Sequence, residues 1–316
     1  MVEFGDILAA REAISGEVRQ TPVFSATRIG QRAGVRLQLK AELLQKTGSF
    51  KARGALNAIL QTPRAQLERG VIAVSAGNHA QGLAWAARQA GVRCVIVMAA
   101  SASRTKIAAT EGYGAEVVLV EGGVTAAFER AAELERAEGL VNIHGFDNPL
   151  IIAGQGTVGL EIMEQVPGVE VIVCPVGGGG LISGVALAAK SLKPSVRVYG
   201  VEPEGASAMR QSWDRGEPVT LSSVNTIADG LAPPMAGQLT YPLTRQYVDD
   251  IVTLSDEEIV VGLRAVLTEA KLYAEPSGAA ATAALLAGKI PHEPGALTVA
   301  IVSGGNMDLE RLKTLI

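Results

Sequence analysis

The sequence predicts an α/β fold with mostly parallel sheets and helices packed on both faces, and three observations carry that expectation. Short β-branched runs alternate with amphipathic segments along nearly the whole chain, the pattern of parallel strands joined by helical crossovers. Three of the runs end in glycine and lead directly into a helical pattern, and in α/β proteins ligands gather at such carboxyl ends of strands. The length of 316 residues, at roughly 150 residues per domain, suits two domains or one large one.

Taken in order, strands are expected at 36–40, 71–74, 94–98, 116–120, 169–174, 196–201, 251–254 and 297–302. Each is a short run rich in Val, Ile or Leu. Between them, helices are expected at 79–90, 125–138, 151–165, 181–191, 257–271 and 279–286, with one more opening near Lys51 and capped by Ser49. No internal repeat and no Pro, Gly or Ser linker divides the chain. Domain borders are therefore not readable from composition.

Composition narrows the function. Hydrophobic residues make up 48% and charged ones 19%, which argues for a folded globular chain rather than disorder. Lys and Arg number 28 against 32 Asp and Glu, a net charge of −4. No basic excess points to nucleic acid or anionic lipid. Aromatics at 4% also argue against a base-stacking surface. Mean hydropathy is +0.25, and the 19 residues 171–189 carry no charge, nominally enough to span a bilayer. That window holds Pro175 and four consecutive glycines, which would break a spanning helix, so it reads as buried strand, turn and helix. Glu3 and Asp6 stand where a signal peptide would be basic, and a cytoplasmic protein is expected. Cys94 and Cys174 lie in apolar runs, as buried reduced thiols do. His79, His144 and His292 are too scattered for a local metal motif, and no metal is expected.

Three strand ends and one last turn could carry chemistry. After the run at 171–176 come Gly177, Gly178, Gly179, Gly180 and Leu181. Bare backbone N–H groups before a helix start suit a phosphate. A dinucleotide fingerprint fails in both registers, since Ile182 or Ser183 stands where its third glycine belongs, although Glu202 at the next strand end keeps a ribose-binding oxidoreductase in view. The second strand end carries Ser75, Ala76, Gly77, Asn78 and His79, where hydroxyl and amide donors at a helix start would hold a small anion; an ordinary cap by Ser75 or Asn78 is the plainer alternative. The third places Lys51 and Arg53 in the first turn of a helix, where the dipole disfavours cations by ~0.3–1 kcal/mol each. A lysine set against that rule is a candidate nucleophile, the alternative being a solvated surface lysine. Finally, the strand at 297–302 ends in Ser303, Gly304, Gly305 and Asn306.

Together these four segments resemble the fold type II pyridoxal-phosphate enzymes, the tryptophan synthase β family, and within them the threonine and serine dehydratases. The segments His144-Gly-Phe-Asp-Asn-Pro, Ala153-Gly-Gln-Gly-Thr, Ala228-Asp-Gly and Glu275-Pro-Ser-Gly are similar to this subfamily too. The resemblance implies two open, mostly parallel sheets flanked by helices, with a small substrate-binding domain at 41–141 inserted into a large pyridoxal-phosphate-binding domain at 1–40 and 142–316, and the cofactor in the cleft. Lys51 would carry pyridoxal 5'-phosphate as a Schiff base, next to Phe50. Asn78 would meet the ring hydroxyl, Gly177–Gly180 and Leu181 the phosphate, and Ser303 the pyridine nitrogen. Ser75, Ala76, Gly77, Asn78 and His79 would hold the substrate carboxylate.

The implied reaction is β-elimination from L-threonine, and from L-serine, to a 2-oxo acid and ammonia. Serine racemase and hydroxyaspartate dehydratase are alternatives within the resemblance. Relatives that racemise serine carry a second serine where this chain has Ala76, which favours elimination here. Relatives that bind a divalent ion pair an acid at the position of Glu202 with another six residues on, where this chain has Ala208. The chain ends about one helix after Ser303, which leaves no room for a C-terminal regulatory domain. A homo-oligomer, dimer or tetramer, is expected by the same resemblance.

Overall fold

A computed structural model describes residues 1–316. Ten strands form two sheets: β1 (Val23–Ser25), β2 (Arg36–Lys40), β3 (Val71–Val74), β4 (Cys94–Ala99), β5 (Glu116–Val120), β6 (Val141–Asn142), β7 (Val171–Pro175), β8 (Arg197–Pro203), β9 (Asp250–Leu254) and β10 (Leu297–Ile301). The larger sheet runs β1-β2-β10-β7-β8-β9, and the smaller β5-β4-β3-β6. Every pairing is parallel except that of β1 with β2. Central strands are buried throughout, as β7 is, while the edge strands β1 and β5 are largely uncovered, the burial expected of parallel sheets covered on both faces.

The uncharged window at 171–189 is β7, the glycine turn and the start of helix Gly180–Leu192. No helix is long and apolar enough to cross a membrane. The helix Pro149–Gln165 is buried over most of its length and meets two others at paired glycines. A Cβ on Gly154 would lie 2.6 Å from Gly54 Cα in helix Lys51–Gln61, and one on Gly184 would lie 2.5 Å from Gly156 N. The small residues of the Ala153–Thr157 segment are thus what lets the Lys51 helix pack closely against its neighbour.

Several expectations need correction. The helix near Lys51 begins after Phe50, and Ser49 does not cap it: Ser49 is extended at φ −161° and its buried Oγ has no partner. The helix expected to reach Lys271 stops at Thr268, because Lys271 takes a left-handed φ of 60°. The helix expected from 279 starts three residues earlier at Pro276, a residue whose missing N–H is harmless at the first helical position. Helices Phe4–Ala13, Thr27–Ala33, Arg104–Gly112, Ala208–Arg215, Thr240–Tyr247 and Leu309–Leu315, with β1 and β6, were not expected; most are too short to show a period.

Buried charges hold the first turn of the Lys51 helix. Arg53 grips Glu42 through two hydrogen bonds of 2.8 Å and reaches Glu161 at 2.6 Å. Glu161 also accepts from Lys40, which donates to Thr21 O at 2.8 Å and Gln165 Oε1 at 2.9 Å. Arg53, Lys40 and Glu42 are fully buried. Removing one partner would strand a charge in low dielectric. Glu161→Ala is therefore expected to destabilise the apoprotein by ~3–5 kcal/mol in urea unfolding. Glu116→Ala, which breaks an exposed pair with Arg93, should cost ~0–1 kcal/mol.

Glu202, at the end of β8, is buried and accepts from Met209 N at 2.9 Å and Arg210 N at 2.7 Å, so it caps the helix Ala208–Arg215. Burial outweighs those donors and pushes its carboxyl from 4.5 up to about 8. The folded state then holds a proton that the unfolded chain gives up, and stability falls as pH rises between those two values. Thermal unfolding across that window should show a shallower pH slope in Glu202→Gln than in the natural protein.

Candidate active site

In the larger sheet β2, β10 and β7 are neighbours, so the turns that follow them lie side by side. Lys51 follows β2, Ser303 follows β10 and the four glycines follow β7. Main-chain bonds tie the first two: Phe50 N donates to Ser303 O at 3.1 Å and Gly305 N to Gly48 O at 3.0 Å. The third expected strand end, Ser75 to His79 after β3, belongs to the smaller sheet. It joins the others where Gly82, in helix Asn78–Gln89, lies so near Lys51 that an added Cβ would come within 3.3 Å of Lys51 Cβ.

Lys51 is not a solvated surface lysine. Its Nζ donates to Gly145 O at 2.6 Å and lies 5.2 Å from the Phe50 ring centroid. Burial lowers the ammonium to about 8 from an ordinary 10.5. A shift toward neutrality, which raises the share of free amine over that of an ordinary lysine, is what a nucleophilic or basic amine needs.

The glycine turn is a backbone cradle. Apart from bonds within the helix itself, none of the N–H groups of residues 177–182 donates to a main-chain acceptor, as a helix start leaves them. Side chains at these positions have no room. A Cβ on Gly178 would fall 2.3 Å from the Phe146 ring, and one on Gly179, at φ +92°, 2.6 Å from Met209 Cε. Thr240 Oγ1 donates to Gly178 O at 2.6 Å and orients the turn. Leu181 is buried in the helix that follows.

At the end of β3, Ser75 Oγ accepts from Gly77 N at 3.2 Å and Ala80 N at 3.3 Å. It closes its own turn, as a cap does. Ala76, Gly77 and Asn78 are half-buried around the helix start. The His79 imidazole reaches away to Ile143 O at 2.8 Å, and burial, together with the charge of Lys51, pushes it down to about 3. What His79 offers the turn is its backbone N–H. Asn78 donates through Nδ2 to Glu275 Oε1 at 2.7 Å and accepts from Asn306 Nδ2 at 2.7 Å. Burial raises the Glu275 carboxyl to about 7.

Residue roles that the sequence did not single out converge on one short loop, 143–148. Gly145 holds Lys51 through its carbonyl, and Phe146 covers the glycine turn. Asp147 accepts from Gln238 N at 2.9 Å and Leu239 N at 2.8 Å, and Asn148 caps the helix Pro149–Gln165. The signal for this loop was present as the His144-Gly-Phe-Asp-Asn-Pro segment, though only as a resemblance. Glu275 and Asn306 were likewise visible as letters but without their partner, Asn78. Lys106 and Arg311 both reach Asp229, at 3.1 and 3.0 Å, so the helix Arg104–Gly112 is tied to the segment between β8 and β9.

These groups fit pyridoxal phosphate. The bare N–H row of the glycine turn suits its phosphate, Lys51 suits its aldehyde, and Asn78 keeps one N–H free for a ring oxygen.

Comparison with known proteins agrees with the geometry. Residues 14–304 match the family described as pyridoxal-phosphate dependent enzyme. The L-threonine ammonia-lyase of Thermotoga maritima is 42% identical over 316 residues, covering 100% of this chain and 78% of that protein. The catabolic L-threonine dehydratase of Escherichia coli is 40% identical over 315 residues, 99% of this chain and 96% of that one. Among solved structures, maize serine racemase superposes with a TM-score of 0.95 at 38% identity, over 99% of this chain and 96% of that chain. With most of its length matching the family and relatives near 40% identity over nearly all of it, the chain belongs to the pyridoxal-phosphate dependent enzymes, and pyridoxal phosphate is its cofactor.

Proposed function

We propose that this protein removes the β-hydroxyl of L-threonine, and of L-serine, as water, releasing a 2-oxo acid and ammonia. Pyridoxal phosphate, when bound, supplies an electron sink for charge developing at the substrate Cα. The chain's own groups do the rest. The glycine turn with Leu181 holds the phosphate, Lys51 and Phe50 the aldehyde end, Asn78 the ring oxygen and Ser303 the ring nitrogen. N–H groups at the start of helix Asn78–Gln89 hold the substrate carboxylate against the positive end of the helix dipole. The Lys51 amine, more easily deprotonated than an ordinary lysine because burial brings it to about 8, takes the Cα proton. A neutral Ser303 hydroxyl leaves the ring nitrogen unprotonated and the sink modest, which suits a reaction whose leaving group drains the electrons.

Ala76 carries the choice of elimination over racemisation. Racemisation needs a proton delivered to the face opposite Lys51, and a methyl has none to give. Ser75, the hydroxyl beside it, is already bonded to Gly77 N and Ala80 N. The structural match to a serine racemase makes racemisation the second reading. It is tested on the same residue.

The proposal includes the division of the chain. A smaller domain at 41–141 and a larger one at 1–40 with 142–316 are supported by the separate sheet of β3 to β6, whose last residue is Asn142. A dimer or tetramer and a cytoplasmic location complete it.

Three outcomes are expected. Covalent capture of pyridoxal phosphate by the apoprotein, followed by visible absorption, should speed up as pH rises to about 8 and level off above it. Lys51→Ala should show no covalent capture and no keto acid from L-threonine while retaining weaker cofactor binding, and substantial keto acid from this variant would overturn the reading. With L-serine, the natural protein should give pyruvate and little D-serine, whereas chiral chromatography of Ala76→Ser should show added D-serine, since a general acid is worth ~10²–10⁴ in rate. Abundant D-serine from the natural protein would instead support the racemase.

A further inference from the structure

Asn306 lies three residues past Ser303 and reaches back over Gly48. Its Nδ2 donates to Thr47 O at 2.7 Å and to Asn78 Oδ1 at 2.7 Å. Gly48 permits the approach, for at φ +74° it has no Cβ, and one placed there would lie 2.4 Å from Asn306 Oδ1. Asn78 Nδ2 then donates to Glu275 Oε1 at 2.7 Å.

A carboxamide has two N–H donors on one side and an acceptor oxygen on the other, so the order of this chain is decided by whichever end cannot change roles. The Thr47 carbonyl can only accept. It therefore fixes the nitrogen side of Asn306, and the second N–H of Asn306 fixes the oxygen side of Asn78. Glu275 cannot make that choice, because burial raises its carboxyl to about 7, and near neutrality it is both an acceptor and an acid able to donate. With one N–H on Glu275, Asn78 keeps the other uncommitted.

We propose that Asn306 is a positioning residue that sets the orientation of the Asn78 carboxamide, so that Asn78 turns an N–H, and not its carbonyl oxygen, toward the ring oxygen of the bound cofactor. The inference rests on the reading of Asn78 as the ring-oxygen contact and goes beyond it by naming what holds that contact the right way round. The two ends of a carboxamide are nearly the same size, so packing alone does not choose between them. A flipped Asn78 would set its carbonyl oxygen against an ionised ring oxygen and repel it.

The test uses the full chain with Asn306→Asp and Asn306→Ala, each alone and combined with Asn78→Ala, titrated with pyridoxal phosphate. The cofactor dissociation constant and the visible band are read, and circular dichroism confirms folding. Asn306→Asp puts acceptors where the donors were and draws Asn78 Nδ2 toward itself. It is expected to weaken cofactor binding roughly 10- to 100-fold, as loss of a hydrogen bond to a charged group implies, and to shift the band. Asn306→Ala leaves Asn78 unforced and should cost less, although it removes more atoms. In the Asn78→Ala background neither change should add much, because the amide they act through is gone.

A mere tether between Asn306 and Thr47 is broken by both changes and gives losses that add to those of Asn78→Ala. That result overturns the inference. Should Asn306→Asp fail to fold, the cycle of Asn306→Ala with Asn78→Ala reads the same coupling, and additivity there overturns it. If Asn78→Ala alone leaves both the dissociation constant and the band unchanged, the reading of Asn78 fails and the inference with it. If Asn78→Ala moves them but the Asn306 changes do not, the inference alone fails.

Discussion

The position of Lys51 depends on a guanidinium two residues away that has nowhere else to go. Arg53 is fully buried, and its charge is met by Glu42 on one side and Glu161 on the other. Such a group tolerates little displacement, because breaking either contact leaves an uncompensated charge in low dielectric. The first turn of the Lys51 helix is thereby pinned to the segment after β2 and to the helix Pro149–Gln165. Lys40 completes the cluster, which then holds two cations and two anions. A neutral cluster casts little field on Lys51, and the lowered pKa of that lysine has burial as its cause rather than neighbouring charge. Position and reactivity are in this way set by separate means.

Around that fixed turn, two helices start at the carboxyl ends of strands, and the proposed reading assigns both starts to one ligand. Helix Gly180–Leu192 follows β7 in the larger sheet and helix Asn78–Gln89 follows β3 in the smaller. Both leave N–H groups unsatisfied and both present the positive end of a dipole. A phosphate and a carboxylate are the two anions that a cofactor-bound amino acid carries at opposite ends. On the proposed reading, the two sheets would supply one anion site apiece, each at the carboxyl end of a strand.

Much of this was legible in the sequence because the signals were local. The strands at 36–40, 71–74 and 116–120 match β2, β3 and β5 residue for residue, since Val71–Val74 and Glu116–Val120 are short β-branched runs and Arg36–Lys40 alternates apolar and polar residues. The glycine turn was equally plain, a row of four having no ordinary structural use. What was not legible depended on partners distant in the chain. Arg53 could be marked as a cation in the wrong turn, but nothing local announced Glu161, 108 residues on. Ser49 looked like a cap on spacing alone, and the extended backbone before Phe50 removed it from that role. His79 looked like a substrate-facing group until burial turned its ring toward Ile143 O. Asn306 was one of four letters after a strand, and its meaning lay in Thr47 and Asn78.

The burial that hid those partners also decides which groups can carry protons near the site. Histidine would ordinarily be the first candidate at neutral pH, yet His79 is pushed down to about 3 and stays neutral. Glu275 is raised to about 7, but Asn78 stands on its carboxylate, so a proton there changes a hydrogen bond that orients the site rather than reaching a substrate atom. Glu202, about 8, is turned onto Met209 N and Arg210 N. Ser75 closes its own turn and Ala76 has no exchangeable proton. Lys51 is left as the one group in this set that burial brings toward neutrality without tying it up as a cap or in a turn. On the proposed reading, proton traffic at Cα would then run on one face, and a site that moves protons on one face removes a leaving group more readily than it inverts a centre.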